Sequence, residues 1–223
     1  MNPRHLIIIG NGVAGISAAQ EARKTDPQAR ITLIGNEPLP YYYRSSLTEW
    51  ITGELAGKQI LARTASFYDA MGIEQVSGTV ERVHAKTHSL AFADGRKMNY
   101  DALCIATGAR ANLIPIAGLD ESHIQTYRTK ADAEHIQASL LNQPQVVIIG
   151  GGVLGLELAG GLQRMGVKDV TIIEYQAYIA RPILDEPLAQ WLENRILGDG
   201  YRVYLNDTVD HAEQIGRASC RER

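Results

Sequence analysis

The sequence has little cysteine, no long apolar run and no excess of one charge. Its two cysteines, Cys104 and Cys220, cannot build a disulfide framework, which favours a reducing compartment such as the cytoplasm. The apolar runs at 6–9 and 146–149 are far shorter than the ~20 residues that a membrane-spanning helix needs. A formal net charge of -3 gives no electrostatic reason to expect a nucleic acid or an anionic membrane as a partner.

The two ends of the sequence also lack recognisable features. The first four residues lead straight into an apolar strand without a signal peptide, which argues against secretion. Residues 215–223 show no apolar periodicity and read like the translation of a short-read sequencing adapter; a natural basic tail is the alternative. We expect this segment to be non-native, so that Cys220 is foreign and the native sequence ends near Gln214.

Glycine, by contrast, is plentiful, with 21 residues, and a first group of glycines follows an apolar strand at 6–9. This group forms a GxGxxG motif made of Gly10, Gly12 and Gly15. Gly10 permits a tight turn, Gly12 lets the backbone approach a pyrophosphate, and Gly15 lets the next helix pack on the strand. A helix from Ile16 and a strand at 31–34 complete a βαβ unit. Glu37 then lies where a carboxylate can accept hydrogen bonds from a ribose diol.

The same pattern returns in the second half of the sequence. A strand at 145–149 precedes a second GxGxxG motif, made of Gly150, Gly152 and Gly155. A helix over 156–165 and a strand at 170–173 follow, and Glu174 ends that strand. A single GxGxxG motif is weak evidence, but two copies with strand, helix and acid in place predict two dinucleotide sites, each with its phosphates at a helix N-terminus.

Residues between the two motifs have a different character. At 73–99 the apolar residues are spread among polar ones, and Asp94-Gly95 is a hairpin signal, so we expect a small antiparallel β-ribbon laid over the first unit. Cys104 lies within an apolar strand and is interpreted as a core residue. We expect residues 111–120 to form a linker and Arg128-Thr129 with Asp132-Ala133 to begin a helix.

These patterns predict an α/β protein with two Rossmann-like dinucleotide-binding units. We place a first dinucleotide-binding domain at 1–112, a second at 113–214 and a non-native tail at 215–223. Glu174 can hydrogen-bond a 2′-hydroxyl and repel a 2′-phosphate, which favours NADH over NADPH. Its alternative role is that of a solvated glutamate at a strand end, and Arg181 lies close enough in sequence to complicate the preference.

The order of the motifs resembles the class I pyridine nucleotide–disulfide oxidoreductase superfamily. The matching segments are Gly10 to Gly15, Ala106-Thr107-Gly108, Arg128-Thr129 with Asp132-Ala133, and Gly150 to Glu157. Residues 40–49 are similar to the flavin-loop segment of NADH:rubredoxin oxidoreductases and of the flavin-binding part of assimilatory nitrite reductase large subunits. The resemblance covers essentially all of residues 4–214.

The resemblance implies an FAD-binding domain at 1–112 and an NAD(P)H-binding domain at 113–214, and it implies which residues hold each cofactor. Those expected along FAD are Gly10, Gly12, Gly15, Glu37, Arg44, Thr107, Gly108, Ala109 and Arg110. Those expected to hold NADH are Gly150, Gly152, Gly155 and Glu174, with Glu157 near the nicotinamide. Family members also complete the FAD site with a later Gly-Asp strand, complete the second unit with further strands and add a C-terminal domain, so we expect the chain to be incomplete at its C-terminus.

At two places the sequence differs from other members of the superfamily, and these differences limit the reactions that we expect. Ser45 and Ser46 stand where disulfide reductases carry a pair of cysteines and peroxide-reducing relatives carry one, so thiol chemistry is not supported. Glu49 stands where many ferredoxin reductases place a lysine, which removes a Lys–Glu pair with Glu157; Glu49 is either a charge that tunes the flavin or a surface glutamate. The flavin carries the chemistry, so we name no catalytic acid, base, nucleophile or metal ligand.

The resemblance therefore implies an FAD-dependent NAD(P)H oxidoreductase, a flavoprotein of electron transfer. Hydride passes from NADH to FAD, and electrons pass on to a small redox protein such as a rubredoxin or ferredoxin, or to nitrite reductase modules. One alternative is an NADH oxidase or peroxidase, against which the missing flavin-loop cysteine counts. The other is a non-catalytic dinucleotide-binding redox sensor, in which Arg44 and Ala106-Thr107-Gly108 would have little use. The parent protein is the enzyme; residues 1–223 alone are expected to be inactive.

Overall fold

The computed structural model describes residues 4–119, 124–140 and 145–212. These residues form two compact units: unit 1 takes in residues up to 43 and 57–110, and unit 2 takes in 44–56 and the described residues from 111 onward. The elements of unit 1 are β1 (His5–Ile9), α1 (Val13–Thr25), β2 (Arg30–Gly35), α3 (Ala65–Ala70), β3 (Ile73–Ser77), β4 (Val80–His84), β5 (Ser89–Phe92), β6 (Lys97–Asn99) and β7 (Ala102–Ile105). The elements of unit 2 are a 3-10 turn (Arg44–Ser46), α2 (Leu47–Ile51), α4 (Lys130–Ser139), β8 (Val146–Ile149), α5 (Val153–Arg164), β9 (Val170–Glu174), α6 (Glu186–Gly198) and β10 (Arg202–Leu205).

Unit 1 is built on a parallel sheet with the strand order β3-β2-β1-β7. Alternate residues of β1 enter two different apolar clusters, so both faces of the strand are buried. Ile8 packs with α1 and α3 on one face, whereas Ile7 and Ile9 pack with Leu90 and Phe92 of β5 on the other. The sheet is thus covered by helices on one side and by β5 on the other.

The predicted antiparallel ribbon is present, but it is shorter than expected. Strands β4, β5 and β6 form a three-stranded antiparallel sheet, and the Asp94-Gly95 turn joins β5 to β6 with Gly95 at φ +85°. Residues 73–77, which the sequence assigned to the ribbon, instead form β3, the parallel strand beside β2. The prediction was wrong there because β3 ends its sheet and mixes buried Ile73 with exposed Glu74 and Gln75, which looks like a half-buried antiparallel strand.

Unit 2 contains a second parallel sheet, with the strand order β10-β9-β8. The predicted helix after Arg128-Thr129 is α4, and it begins with a capping box. The Thr129 hydroxyl accepts from the Asp132 N–H at 3.1 Å, and the Asp132 carboxylate accepts from the Thr129 N–H at 2.9 Å. This reciprocal pair satisfies helix N–H groups that have no intrahelical partner, which fixes where α4 starts.

The predicted strands of both βαβ units are confirmed, whereas their helices begin earlier than predicted. Helices α1 and α5 start at Val13 and Val153, because Gly12 and Gly152 are their N-cap residues. The last two residues of each GxGxx stretch therefore already belong to the helix. This places the glycine-rich turn directly on the helix N-terminus, where backbone N–H groups and the helix dipole favour an anion.

Segment 44–56 lies in unit 2, although the domain boundaries drawn from the sequence placed it with the first domain. Leu47, Thr48 and Ile51 are buried, and their helix α2 packs on α4 and α5. The Gln137 amide donates to the Ile51 carbonyl oxygen at 3.1 Å. A segment inserted between two parts of unit 1 joins unit 2 because its apolar face is covered there, and sequence order alone does not show this.

Candidate dinucleotide-binding sites

The glycine-rich turn of unit 1 leaves no room for side chains at two of its three glycines. Gly10 has φ +117°, and a Cβ atom there would lie 2.1 Å from the Ala106 carbonyl oxygen. A Cβ atom on Gly15 would lie 1.9 Å from the Gly10 carbonyl oxygen, so any side chain would push α1 away from β1. A Cβ atom on Gly12 would meet nothing within 4 Å among the described residues. The turn is thus tightly packed against its own unit and open at the N-terminus of α1.

The turn of unit 2 repeats this geometry at its second and third glycines. A Cβ atom on Gly155 would lie 2.1 Å from the Gly150 carbonyl oxygen, and Gly152 again faces open space among the described residues. Gly150 has φ +111°, but unlike on Gly10, a Cβ atom there would meet nothing within 4 Å among the described residues. These three glycines lie along an otherwise largely apolar cavity of about 920 Å³, whose walls include side chains of β8 and α5. A dinucleotide phosphate at either helix N-terminus would therefore meet free backbone N–H groups without a steric barrier.

Glu37 and Glu174, the two carboxylates predicted to bind a ribose, are held by different hydrogen-bond donors. In unit 1, the Tyr42 hydroxyl donates to Glu37 Oε2 at 2.6 Å. In unit 2, backbone amides hold both oxygens of Glu174: Gly151 N–H donates to Oε2 and Gln176 N–H donates to Oε1, each at 2.7 Å. Both carboxylates are thereby oriented before any ligand binds.

The end of the second strand faces the glycine-rich turn in both units, but the glycine of this facing pair lies on opposite sides in the two units. In unit 2, Glu174 ends β9 and faces Gly151, where a Cβ atom would lie 3.2 Å from the Glu174 Cβ. In unit 1, Gly35 ends β2 and faces Asn11, with 3.2 Å between a Gly35 Cβ and the Asn11 Cβ. In each unit one of the two facing positions is glycine, and a second Cβ atom would make a tight contact. Asn11 occupies this space in unit 1, and the acid lies two residues later, at Glu37.

The turn after β7 lies against the glycine-rich turn of unit 1. The Ala106 N–H donates to the Ile9 carbonyl oxygen at 2.8 Å, which carries the turn past Gly10. Thr107, Gly108 and Arg110 follow and are exposed, and Gly108 has φ +69°. The start of this turn, Ala106 and Thr107, therefore lies against Gly10 of the first motif.

Arg44, predicted to lie along FAD, belongs to unit 2. Its guanidinium donates to the Arg128 carbonyl oxygen at 2.8 Å, just before the Thr129 cap of α4. It is thus fixed to the start of α4, a contact that sequence order could not indicate because 84 positions separate the two residues.

Glu157 and Glu49 lie near a tyrosine that the sequence did not single out. The hydroxyls of Tyr127 and Thr48 share a hydrogen bond of 2.6 Å. Burial raises the pKa of Tyr127 to about 12; the bond to Thr48 opposes this rise, and the charges of Glu157 and Glu49 add to it. Glu49 is half-buried, and its Oε2 is buried without a hydrogen-bond partner among the described residues. That burial counts against the surface alternative for Glu49.

Asn11, Tyr42, Tyr68 and Tyr127 are the site neighbours that sequence reasoning missed. Three of them are tyrosines, which have an apolar ring and are read as core residues from sequence alone. Only the fold shows where each hydroxyl points. For Asn11, its place inside the GxGxxG motif was the available signal.

Other features of the described residues add no chemistry. Cys104 is partly buried and packs on the unit 1 core, in line with its interpretation as a core residue. No group of three or more metal-ligating side chains occurs within the described ranges. None of the helices in the described part of the chain is long and apolar enough to cross a membrane. The tail at 215–223 lies outside the described residues.

Comparisons with known proteins agree with this geometry. A family model for pyridine nucleotide-disulphide oxidoreductases matches residues 4–220, and so extends into the segment predicted to be non-native. The assimilatory nitrate reductase electron transfer subunit of Bacillus subtilis is 32% identical over 212 residues, which cover 94% of this chain and 27% of that protein. The ferredoxin reductase component of chlorobenzene dioxygenase from Cupriavidus sp. is 34% identical over 207 residues, which cover 92% of this chain and 50% of that protein.

A solved structure is similar as well. NADH:rubredoxin oxidoreductase from Clostridium acetobutylicum has a TM-score of 0.83 at 28% identity and covers 93% of this chain and 54% of that one. The chain thus spans about half the length, or less, of these relatives. The resemblance drawn from the motifs is confirmed. The chain belongs to the pyridine nucleotide-disulphide oxidoreductase family, whose cofactors are FAD and NAD(P)H.

Proposed function

We propose that unit 1 binds FAD, that unit 2 binds NADH, and that the full-length protein is an FAD-dependent NAD(P)H oxidoreductase. The observation that carries this proposal is the duplicated strand, glycine-rich turn and helix, each with a carboxylate already held in place. A single such unit would suit many binding proteins, whereas two suit the transfer of hydride between two dinucleotides.

In unit 1 the glycine-rich turn binds the FAD pyrophosphate at the N-terminus of α1, and Glu37 accepts from the adenosine ribose. Gly12 is the position where the backbone approaches the phosphates, because the space beside it is open. The turn of Thr107, Gly108 and Arg110 lies along the same cofactor, since its start packs on Gly10.

In unit 2 Glu174 accepts from the 2′-hydroxyl of the NADH ribose. A 2′-phosphate would bring its negative charge against a carboxylate that two backbone amides hold still, so NADH is preferred. Arg181, the residue that could favour NADPH, is exposed, hydrogen-bonds the Gln176 side chain and lies 5.7 Å from the Tyr178 ring centroid. Its guanidinium is thus engaged by neighbours in its own loop.

FAD supplies the redox chemistry, since it can accept two electrons from NADH and release them singly. The chain's residues bind and orient: Glu157, beside Tyr127, is a positioning residue near the nicotinamide. The acceptor is a small redox protein such as a rubredoxin or ferredoxin, or a nitrite reductase centre. Relatives described as ferredoxin reductase components and as a nitrate reductase electron transfer subunit support this kind of partner. The low cysteine content supports a cytoplasmic location.

Binding measurements on the full-length protein test the assignment of the two sites. Glu37→Ala should lower FAD affinity roughly tenfold and Glu174→Ala should lower NADH affinity by a similar factor, since each loses charged hydrogen bonds. Glu81→Ala, an exposed glutamate of β4, is the matched control and should change neither. If Glu37→Ala weakened NADH and left FAD unchanged, the order of the two sites would be wrong.

A further inference from the structure

Three consecutive tyrosines follow β2 in unit 1, and we call residues 41–43 the tyrosine segment. The backbone of this segment is fixed by residues 60–63. Tyr43 N–H donates to the Ile60 carbonyl oxygen at 3.2 Å, and the Tyr41 carbonyl oxygen accepts from Ala62 N–H at 2.9 Å. Tyr42 also forms a β-bridge with Leu61. The position of the segment is therefore set by protein contacts.

A second group of hydrogen bonds joins the tyrosine segment to the glycine-rich turn. Tyr41 N–H donates to the Tyr68 hydroxyl at 2.8 Å, and that hydroxyl donates to Asn11 Oδ1 at 2.9 Å. The Asn11 amide in turn donates to the Leu39 carbonyl oxygen at 3.1 Å. Tyr68 is only 1% exposed, so its side chain is fixed within the unit 1 core. The turn and the segment after β2 thus form one hydrogen-bonded body.

Tyr42, in the middle of this segment, hydrogen-bonds Glu37, the carboxylate predicted to bind the ribose. Its side chain is 4% exposed, and its hydroxyl donates to Glu37 Oε2 at 2.6 Å. A short O–H···O⁻ hydrogen bond from a buried donor is among the stronger contacts that a carboxylate makes. The bond restrains the rotation of the Glu37 side chain about its χ angles.

We propose that Tyr42 is a positioning residue that orients Glu37 toward the ribose of the FAD adenosine, so that the site discriminates FAD from FMN. This proposal rests on the proposed function, in which Glu37 accepts from that ribose. FMN has no adenosine and makes no contact with Glu37. Loss of the Tyr42 hydroxyl should therefore weaken FAD and leave FMN unchanged, because only FAD uses the oriented carboxylate.

A double-mutant cycle on the full-length protein tests this role. Apoprotein is titrated with FAD and, separately, with FMN, and flavin fluorescence reports the two affinities. Tyr42→Phe, which keeps the buried ring, should weaken FAD roughly tenfold. In the Glu37→Ala background Tyr42→Phe should have no further effect on FAD, because the hydroxyl acts through Glu37. Tyr100→Phe, a partly buried tyrosine elsewhere in unit 1, is the matched control, and the unfolding midpoint of each apoprotein monitors the fold.

Each outcome separates the inference from the function on which it rests. Equal weakening of FAD and FMN by Tyr42→Phe, or additive effects with Glu37→Ala, would show a general structural role and overturn the inference. Unchanged FAD affinity in Tyr42→Phe, with weakened FAD in Glu37→Ala, would overturn the inference and leave the ribose site standing. Unchanged FAD affinity in Glu37→Ala would instead overturn the ribose site itself.

Discussion

The carboxylates predicted to bind ribose in the two units are held by different hydrogen-bond donors. Glu174 is held by two backbone amides, whereas Glu37 is held by a tyrosine hydroxyl. Every substitution except one to proline keeps the backbone N–H, so the orientation of Glu174 depends mainly on the fold of its turn. A change at Glu174 itself is therefore the direct way to probe cofactor choice in unit 2.

We predict that Glu174→Ala reduces the preference of the full-length protein for NADH over NADPH. The substitution removes hydrogen bonds to the 2′-hydroxyl, worth about 1.5–3 kcal/mol, and removes repulsion of a 2′-phosphate. The ratio of kcat/KM for NADH to that for NADPH should fall roughly ten- to hundredfold. The wild-type protein is measured alongside Glu186→Ala, an exposed acid in the first turn of α6. A wild-type ratio that favours NADPH would contradict the role of Glu174.

A second prediction at the residue level concerns the stability of unit 1 at low pH, which depends on His5 and Glu74. His5 Nε2 and the Thr32 hydroxyl share a 2.8 Å hydrogen bond, and that hydroxyl donates to Glu74 at 3.0 Å. Burial lowers the pKa of His5 below 6.5, and the hydrogen bond from Arg30 holds the pKa of Glu74 below 4.5. Both shifts favour the deprotonated group in the folded state, so the unfolded chain binds more protons.

Stability should therefore fall as pH falls. The contribution of His5 is present above pH 6.5 and is lost as pH drops through its folded-state pKa; that of Glu74 is present above pH 4.5 and is lost below it. Urea unfolding midpoints from neutral pH to about pH 4 should decline, and the decline between pH 6.5 and the lower pKa should flatten in His5→Asn. A wild-type midpoint that rises on acidification would refute this reading of unit 1.

At the level of elements, the second and third glycines of each motif have different roles. The third allows the helix to pack on the strand, whereas the second leaves open space at the helix N-terminus. We predict that Gly15→Ala destabilises unit 1, because its Cβ would lie 1.9 Å from the Gly10 carbonyl oxygen and force α1 off β1. The cost should be about 1–3 kcal/mol, as for other overpacked sites. Gly12→Ala meets open space, so it should leave the thermal midpoint of the apoprotein unchanged and weaken FAD at the phosphate position.

The pair Gly12→Ala and Gly15→Ala is thus its own control, read by thermal unfolding of apoprotein and by FAD titration. Similar loss of stability in both variants would contradict the division of roles between the two glycines. Gly152 and Gly155 offer the same comparison in unit 2, with NADH as the ligand.

The elements also show how far sequence reasoning extends. The strands and helices of both βαβ units were predictable because apolar runs, glycines and acids occur at fixed spacings. Strand β3 was not, because a strand at the end of a sheet alternates like an antiparallel one. The contacts of Arg44 with Arg128 and of Thr48 with Tyr127 join residues about 80 positions apart, and no local pattern encodes such pairs.

At the level of the whole molecule, aliphatic side chains are exposed on β7 and β8, which each end one of the two parallel sheets among the described residues. Ile105 on β7 is 64% exposed, and Val147 and Ile149 on β8 are 56% and 42% exposed. Unpaired strand edges with apolar side chains promote association. We predict that residues 1–223 expressed alone self-associate, bind FAD weakly and turn over no NADH.

Light scattering and FAD titration of the purified chain check this prediction. Val147→Thr together with Ile149→Thr should lower the self-association, whereas Val83→Thr, on the exposed side of β4, should not. A monomeric, fully flavinylated chain that oxidises NADH with a dye acceptor would contradict it.

Anaerobic reduction tests whether the two units serve a single transfer of hydride from NADH to FAD. The full-length protein loaded with FAD is mixed with NADH, and the visible absorbance of the flavin is followed in a stopped-flow instrument. We expect that one equivalent of NADH bleaches the flavin, that NADPH does so far more slowly, and that Glu174→Ala slows the reaction with NADH. Bound FAD whose absorbance NADH leaves unchanged would contradict this expectation.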